Sequence, residues 1–90
     1  MIIKIDNKKD GVSNEIHRIF QASYAVEASI LRVRDFPPLK RTVSEFIDCK
    51  SEFYAYYNNG CIAGLIEITS TPSVTHIQSL VVYPKYFRQG

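Results

Sequence analysis

The tripeptide Asn58-Asn59-Gly60 stands between two runs of β-forming residues, and no other stretch constrains this chain more. Asn and Gly tolerate the positive φ angles that a tight hairpin demands. Glu52 to Tyr57 before it is aromatic-rich, as suits a strand. In Cys61 to Thr69 after it, Ile62, Ile66 and Ile68 alternate with Ala63, Leu65 and Glu67. Gly64 inside that run gives up packing, which predicts a close backbone approach or a bulge. Thr71-Pro72-Ser73 turns the chain into a third strand, Val74 to Tyr83, which Pro84 stops.

Upstream the period is helical. Ser13 can cap a helix, because its oxygen can accept from an orphan amide of the first turn. Ile16, Ile19, Phe20 and Ser23 follow at helical spacing, and Ala22, Val26 and Ile30 continue the stripe as it drifts. The helix is expected from about Ser13 to about Leu31. Pro37-Pro38 forbids helix, since proline lacks the amide and restrains its predecessor. Thr42-Val43-Ser44-Glu45 fits a capping box and opens a second, short helix ending near Lys50, with Val43, Phe46 and Ile47 on its buried face. Ile2-Ile3-Lys4-Ile5 reads as an opening strand, and Asp6 to Gly11 as a loop. The order is β-α-α-β-β-β: an α+β domain over residues 1–90, with helices packed on a mainly antiparallel sheet.

Composition narrows the function classes. The net charge is only +2, and the basic residues form no single run, which argues against a nucleic-acid partner. Tyr54, Tyr56, Tyr57, Tyr83 and Tyr86 read as cross-strand packing rather than base-stacking platforms, because no basic residues interleave them from Phe53 to Tyr57. No stretch has the ~18 apolar residues of a membrane span, and Met1-Ile2-Ile3-Lys4 does not open a signal peptide. A cytoplasmic location is expected, with Cys49 and Cys61 reduced and partly buried. Two cysteines make neither a disulfide framework nor a zinc site, and no metal is expected.

The last third carries more. Val82-Tyr83-Pro84 followed by Lys85-Tyr86-Phe87-Arg88-Gln89-Gly90 resembles motif A of the GNAT N-acetyltransferase superfamily. There a strand ending in a Val-x-Pro-like tripeptide runs into a Gln/Arg-x-x-Gly-x-Gly/Ala loop. Gly90 matches the first loop glycine, and Asn59-Gly60 to Ile66 resembles the family's turn and the glycine-bearing strand after it. Phe87 departs from the pattern at the position of the loop's Gln/Arg, beside Arg88 and Gln89. The resemblance covers essentially the whole chain but only the N-terminal half of the family's domain, so a truncated domain is expected.

The resemblance implies acetyl-CoA as co-substrate and a small-molecule or peptide amine as acceptor. The amine would attack the thioester directly. Strand amides at Leu80, Val81 and Val82 would bind the pantetheine arm and polarise the carbonyl, and Arg88, Gln89 and Gly90 would begin the pyrophosphate cradle. The family's usual catalytic tyrosine lies in the half beyond Gly90, so no catalytic residue is assigned. The candidate is His76, which by plain alternation shares a face with Gln78, Leu80 and Val82 and would stand near the position at which, in some family members, a carboxylate deprotonates the amine. The simpler reading is an exposed or hydrogen-bonded strand histidine. His17 reads as structural or solvated. Glu67 reads as a solvated strand carboxylate, with an acceptor-facing role as the alternative.

The competing function is a non-catalytic, truncated acetyltransferase-like module that self-associates or binds a partner or small ligand. As the last strand, Val74–Tyr83 would be a sheet edge carrying Ile77, Leu80, Val81 and Val82, without lysine or proline protection. A two-fold homodimer through Val74–Tyr83, with Tyr83, Tyr86 and Phe87 as further contacts, is the expectation.

Overall fold

The computed structural model describes residues 1–86 except Asp10 and Val33; Phe87, Arg88, Gln89 and Gly90 therefore lie outside the described residues. The elements follow the expected order: β1 (Ile2–Ile5), α1 (Val12–Leu31), α2 (Val43–Asp48), β2 (Glu52–Asn58), β3 (Cys61–Ser70) and β4 (Thr75–Val82). The strands form one antiparallel sheet in the order β1-β2-β3-β4. The fold is α+β, as the sequence predicts.

The β2–β3 hairpin closes at Asn59 and Gly60, with φ of 54° and 80°. Two consecutive positive φ values match the twist of the strands they join. The ladder slips by one residue between Tyr56 and Tyr57, which sets Ile62 opposite Tyr57, on the core side with it.

α1 lays Ile16, Ile19, Phe20 and Ser23 against the sheet. Its start differs from expectation. Gly11, at φ 85°, takes the N-cap position and no side chain caps the helix. Ser13 is the second residue of the helix, fully buried, and its hydroxyl has no partner. The drifting stripe does not continue either, since Ile30 is 74% exposed while Ala28 is buried. The last turns of α1 outrun the sheet that would cover them.

The two prolines exclude α-helix but open a 3-10 turn over Pro37–Lys40. The first turn of a helix needs no proline amide, so Pro fits there. Gln21 of α1 holds this turn by donating to the Leu39 carbonyl at 2.8 Å. α2 carries the full capping box: Glu45 N–H donates to Thr42 Oγ1 at 3.2 Å, and Thr42 N–H donates to Glu45 Oε1 at 3.0 Å. It ends at Asp48, two residues before Lys50.

The core is the seam between the helices and one face of the sheet. Phe20, Phe46 and Phe53 meet edge-on there, with centroids 4.9, 5.9 and 6.4 Å apart. Such pairs contribute about 0.5–1.5 kcal/mol each beyond area burial. Ala55, Leu65 and Val81 close the sheet side. The opposite face has no helix on it among the described residues. Ile77 and Leu80 are 67% and 66% exposed there. Cys49 is half-buried, whereas Cys61 is exposed at the hairpin, contrary to expectation.

Candidate functional site

β4 decides the site. Tyr83 N–H donates to the Ala63 carbonyl at 2.8 Å. Hydrogen-bonded pairs alternate along an antiparallel ladder. Val81, opposite Leu65, therefore turns its amide toward β3, while Leu80 and Val82 turn theirs to the far side. That side is an open edge among the described residues, because β4 ends the sheet. Of the three amides assigned from the resemblance, two thus face the edge. Val81 instead fills the core, at 3% exposure. Gly64 lets β3 and β4 close here: a Cβ at its position would sit 3.1 Å from the Val81 carbonyl oxygen.

The β3–β4 register shifts between Glu67 and Ile68, since Glu67 pairs with Ser79 but Ile68 pairs with Ile77. Gln78 is the extra residue of a β-bulge. A bulge bends its strand and reverses the parity of everything beyond it. Ser79 and Val81 therefore face the helices, and so does His76, opposite Thr69. The alternation expected for His76 fails for this reason. It lies on the face opposite Leu80 and Val82, exposed, and about 10 Å, three ladder steps, along the sheet from Leu80. That distance keeps His76 away from the edge amides.

Above the bulge is a cleft of about 250 Å³ lined by Phe20, Tyr24, Pro38, Arg41, Gln78 and Ser79. α1 supplies the rings, the 3-10 turn supplies Pro38, and the approach to α2 supplies Arg41. Arg41 donates twice to Glu67, at 2.7 Å to each carboxylate oxygen. Ser79 donates to Glu67 Oε1 at 3.0 Å. The Arg41 guanidinium also lies 4.1 Å from the Phe46 ring centroid. Glu67 is only 1% exposed, so the expectation of a solvated carboxylate is corrected. It sits on the inward parity of β3 with Ala63 and Leu65, where an acid persists only with a cation beside it. Burial pushes its pKa up, but the hydrogen bonds from Arg41, Ser51 and Ser79 and the Arg41 charge outweigh burial, and the pKa falls below the usual carboxylate value. The hydrogen bond to Glu67 correspondingly raises Arg41, against desolvation.

Beyond β4, Arg18 of α1 donates to Tyr83 Oη at 3.1 Å and lies 5.1 Å from its ring centroid. This contact ties the Val82-Tyr83-Pro84 tripeptide to the helix layer. His17 is structural, its ring edge-on to Phe46 at 6.2 Å. No group of three His, Cys, Asp or Glu residues that could hold a metal occurs among the described residues. Nor is any helix among them long and apolar enough to cross a membrane.

Sequence reasoning missed Arg41, Gln78 and Ser79. The parity of Glu67 was a usable signal for a buried cation partner, but nothing local marks Arg41 as that partner.

A bulged strand at the edge of the described sheet thus lies beside a cleft roofed by α1 and the 3-10 turn. The acetyltransferase (GNAT) family model matches residues 13–90, and the chain belongs to that family. No significant match to a curated protein or to a solved structure was found.

Proposed function

We propose that this chain is the donor-binding part of an acetyl-CoA-dependent N-acetyltransferase acting in the cytoplasm. The observation that carries the reading is the pair of edge-facing amides at Leu80 and Val82, next to a bulge that opens onto the cleft. Acetyl-CoA supplies the activated acetyl group as a thioester. A neutral amine held in the cleft attacks the thioester carbonyl. The C–N bond forms, the C–S bond breaks, and the proton that the amine nitrogen loses goes to the departing sulfur, so the coenzyme leaves as the thiol. Amides already aimed at the edge stabilise the oxyanion without reorganising, which is where such donors gain their effect. Arg88, Gln89 and Gly90 would hold the pyrophosphate, following the family loop; they lie outside the described residues.

The test is a nitrogen-15 NMR titration with acetyl-CoA. The expected result is selective shifts at Leu80, Val82 and residues 87–90, with affinity weaker than micromolar. Each charge-assisted hydrogen bond to the pyrophosphate is worth about 1.5–3 kcal/mol, and residues 1–90 supply only the first glycine of the family loop. Absence of shifts up to 10 mM, or shifts confined elsewhere, overturns the donor assignment. Low-micromolar affinity contradicts the weak-binding expectation.

A second reading is a non-catalytic module that self-associates through Val74–Tyr83. Exposed Ile77, Leu80 and Val82 on one face favour it. The Gln78 bulge works against plain edge pairing, because bulges are one way proteins protect sheet edges. The contact would therefore rest on the apolar face more than on a continued ladder.

A further inference from the structure

We infer, resting on the N-acetyltransferase reading, that the cleft selects an acceptor amine carried on a flat, uncharged, apolar body, and discriminates against polycationic amines. The lining gives the reason. Phe20 and Tyr24 lie one helical turn apart with ring centroids 5.8 Å apart, and Phe36 buttresses Tyr24 at 5.9 Å. Pro38 completes an apolar wall. A dry apolar cavity of about 150 Å³ takes a benzene ring. A cleft of about 250 Å³ thus has room for a ring and a short arm bearing the amine.

The charges argue the same way. Arg41 is the one charged side chain lining the cleft among the described residues. The carboxylate behind it is already saturated. Glu67 receives two bonds from Arg41 and one from Ser79, and it is 1% exposed. Among the described residues lining the cleft, none offers a carboxylate to a second ammonium group. The guanidinium also disfavours the protonated form of an amine placed beside it. That bias favours the free base, which is the nucleophile. Gln78 and Ser79 are the polar groups left to orient the amine.

The experiment titrates the isotope-labelled chain with phenethylamine and, separately, with spermidine, following Tyr24, Gln78 and Ser79. The expected result is shifts of all three with phenethylamine and an affinity at least tenfold weaker for spermidine. Gln78→Glu should narrow or invert that ratio by adding an unpaired carboxylate. Tyr24→Ala should weaken phenethylamine at least tenfold, with circular dichroism as the folding control. Spermidine binding as tightly as phenethylamine overturns the inference. So does an absence of phenethylamine shifts at 20 mM, or a ratio unmoved by Gln78→Glu. The acetyl-CoA titration keeps the two readings apart. Shifts at Leu80 and Val82 without aromatic-amine binding sink only the acceptor inference. Aromatic-amine binding without those edge shifts sinks only the donor reading.

Discussion

Arg41 and Glu67 face each other fork to fork, with two hydrogen bonds of 2.7 Å joining the guanidinium to the two carboxylate oxygens. The pair bridges the approach to α2 and the middle of β3, and Ser79 extends it to β4. Three elements that are distant in sequence are thus pinned at the cleft. A bidentate pair specifies orientation as well as proximity.

Glu67→Gln should destabilise the chain by about 3 kcal/mol at pH 7. Breaking a buried pair costs about 3–5 kcal/mol, and the Arg41 side chain is 24% exposed, which places the effect at the low end. The pH dependence has a definite sign. The folded-state pKa of Glu67 is depressed. Its contribution is therefore complete above the unfolded value of about 4.3 and disappears as pH falls through the lower folded value. Urea denaturation should show the difference between wild type and variant shrinking on acidification from pH 5 to pH 2. A difference constant over that range would contradict the ionised pair.

Gly64→Ala should lower stability by about 1–3 kcal/mol, the usual cost of overpacking. The added Cβ would meet the Val81 carbonyl at 3.1 Å, and that oxygen belongs to the β3–β4 ladder rather than to a side chain that can swing away. Thermal denaturation checks it. The amides of Val81 and Tyr83 should also exchange faster in the variant, because both donate into that ladder.

Thr42→Ala should cost about 1 kcal/mol through the lost cap. Glu45 keeps one half of the box through its contact with the Thr42 amide, so α2 should fray rather than melt. Because Arg41 precedes the cap, amine binding in the cleft should weaken along with stability. Denaturant midpoints and the phenethylamine titration together test this.

Ile77→Lys together with Leu80→Lys should abolish self-association without unfolding the chain. Both side chains are about two-thirds exposed. Light scattering from micromolar to near-millimolar concentration should show a dimer for the parent chain and a monomer for the variant. A strict monomer in the parent excludes self-association through this face. The matching change at Val81 would not be informative, since Val81 lies in the core and a lysine there would unfold the sheet.

Much of the frame is readable from local chemistry. Asn59-Gly60, the capping box at Thr42 and Glu45, and the helical spacing of Ile16, Ile19 and Phe20 each act within a few residues, where steric and hydrogen-bond preferences are strong. Gly64 is readable for the same reason: a strand glycine costs stability unless another backbone needs its space. Ser13 shows the limit of such reading. A good capping residue yields to Gly11 when the helix start is set by burial of the residue itself.

The site was less legible because a single inserted residue controls it. Alternation along β4 predicts the face of every side chain only while the ladder stays in register. The Gln78 bulge moves His76 to the helix side and brings Gln78 to the cleft beside Ser79. Bulges are decided by which cross-strand pairs pack best, and that information is divided between β3 and β4.

By itself the sequence determined the order β-α-α-β-β-β, the hairpin, the α2 cap and the likeness to an acetyltransferase half-domain, all of which rest on local preferences or contiguous motifs. Only the tertiary structure decided that Glu67 is buried against Arg41, that Leu80 and Val82 but not Val81 turn their amides outward, and that α1 and the 3-10 turn roof a cleft over the bulge. Those outcomes depend on register and on contacts between residues far apart in the chain, whose energies exist only once the sheet and helices have packed.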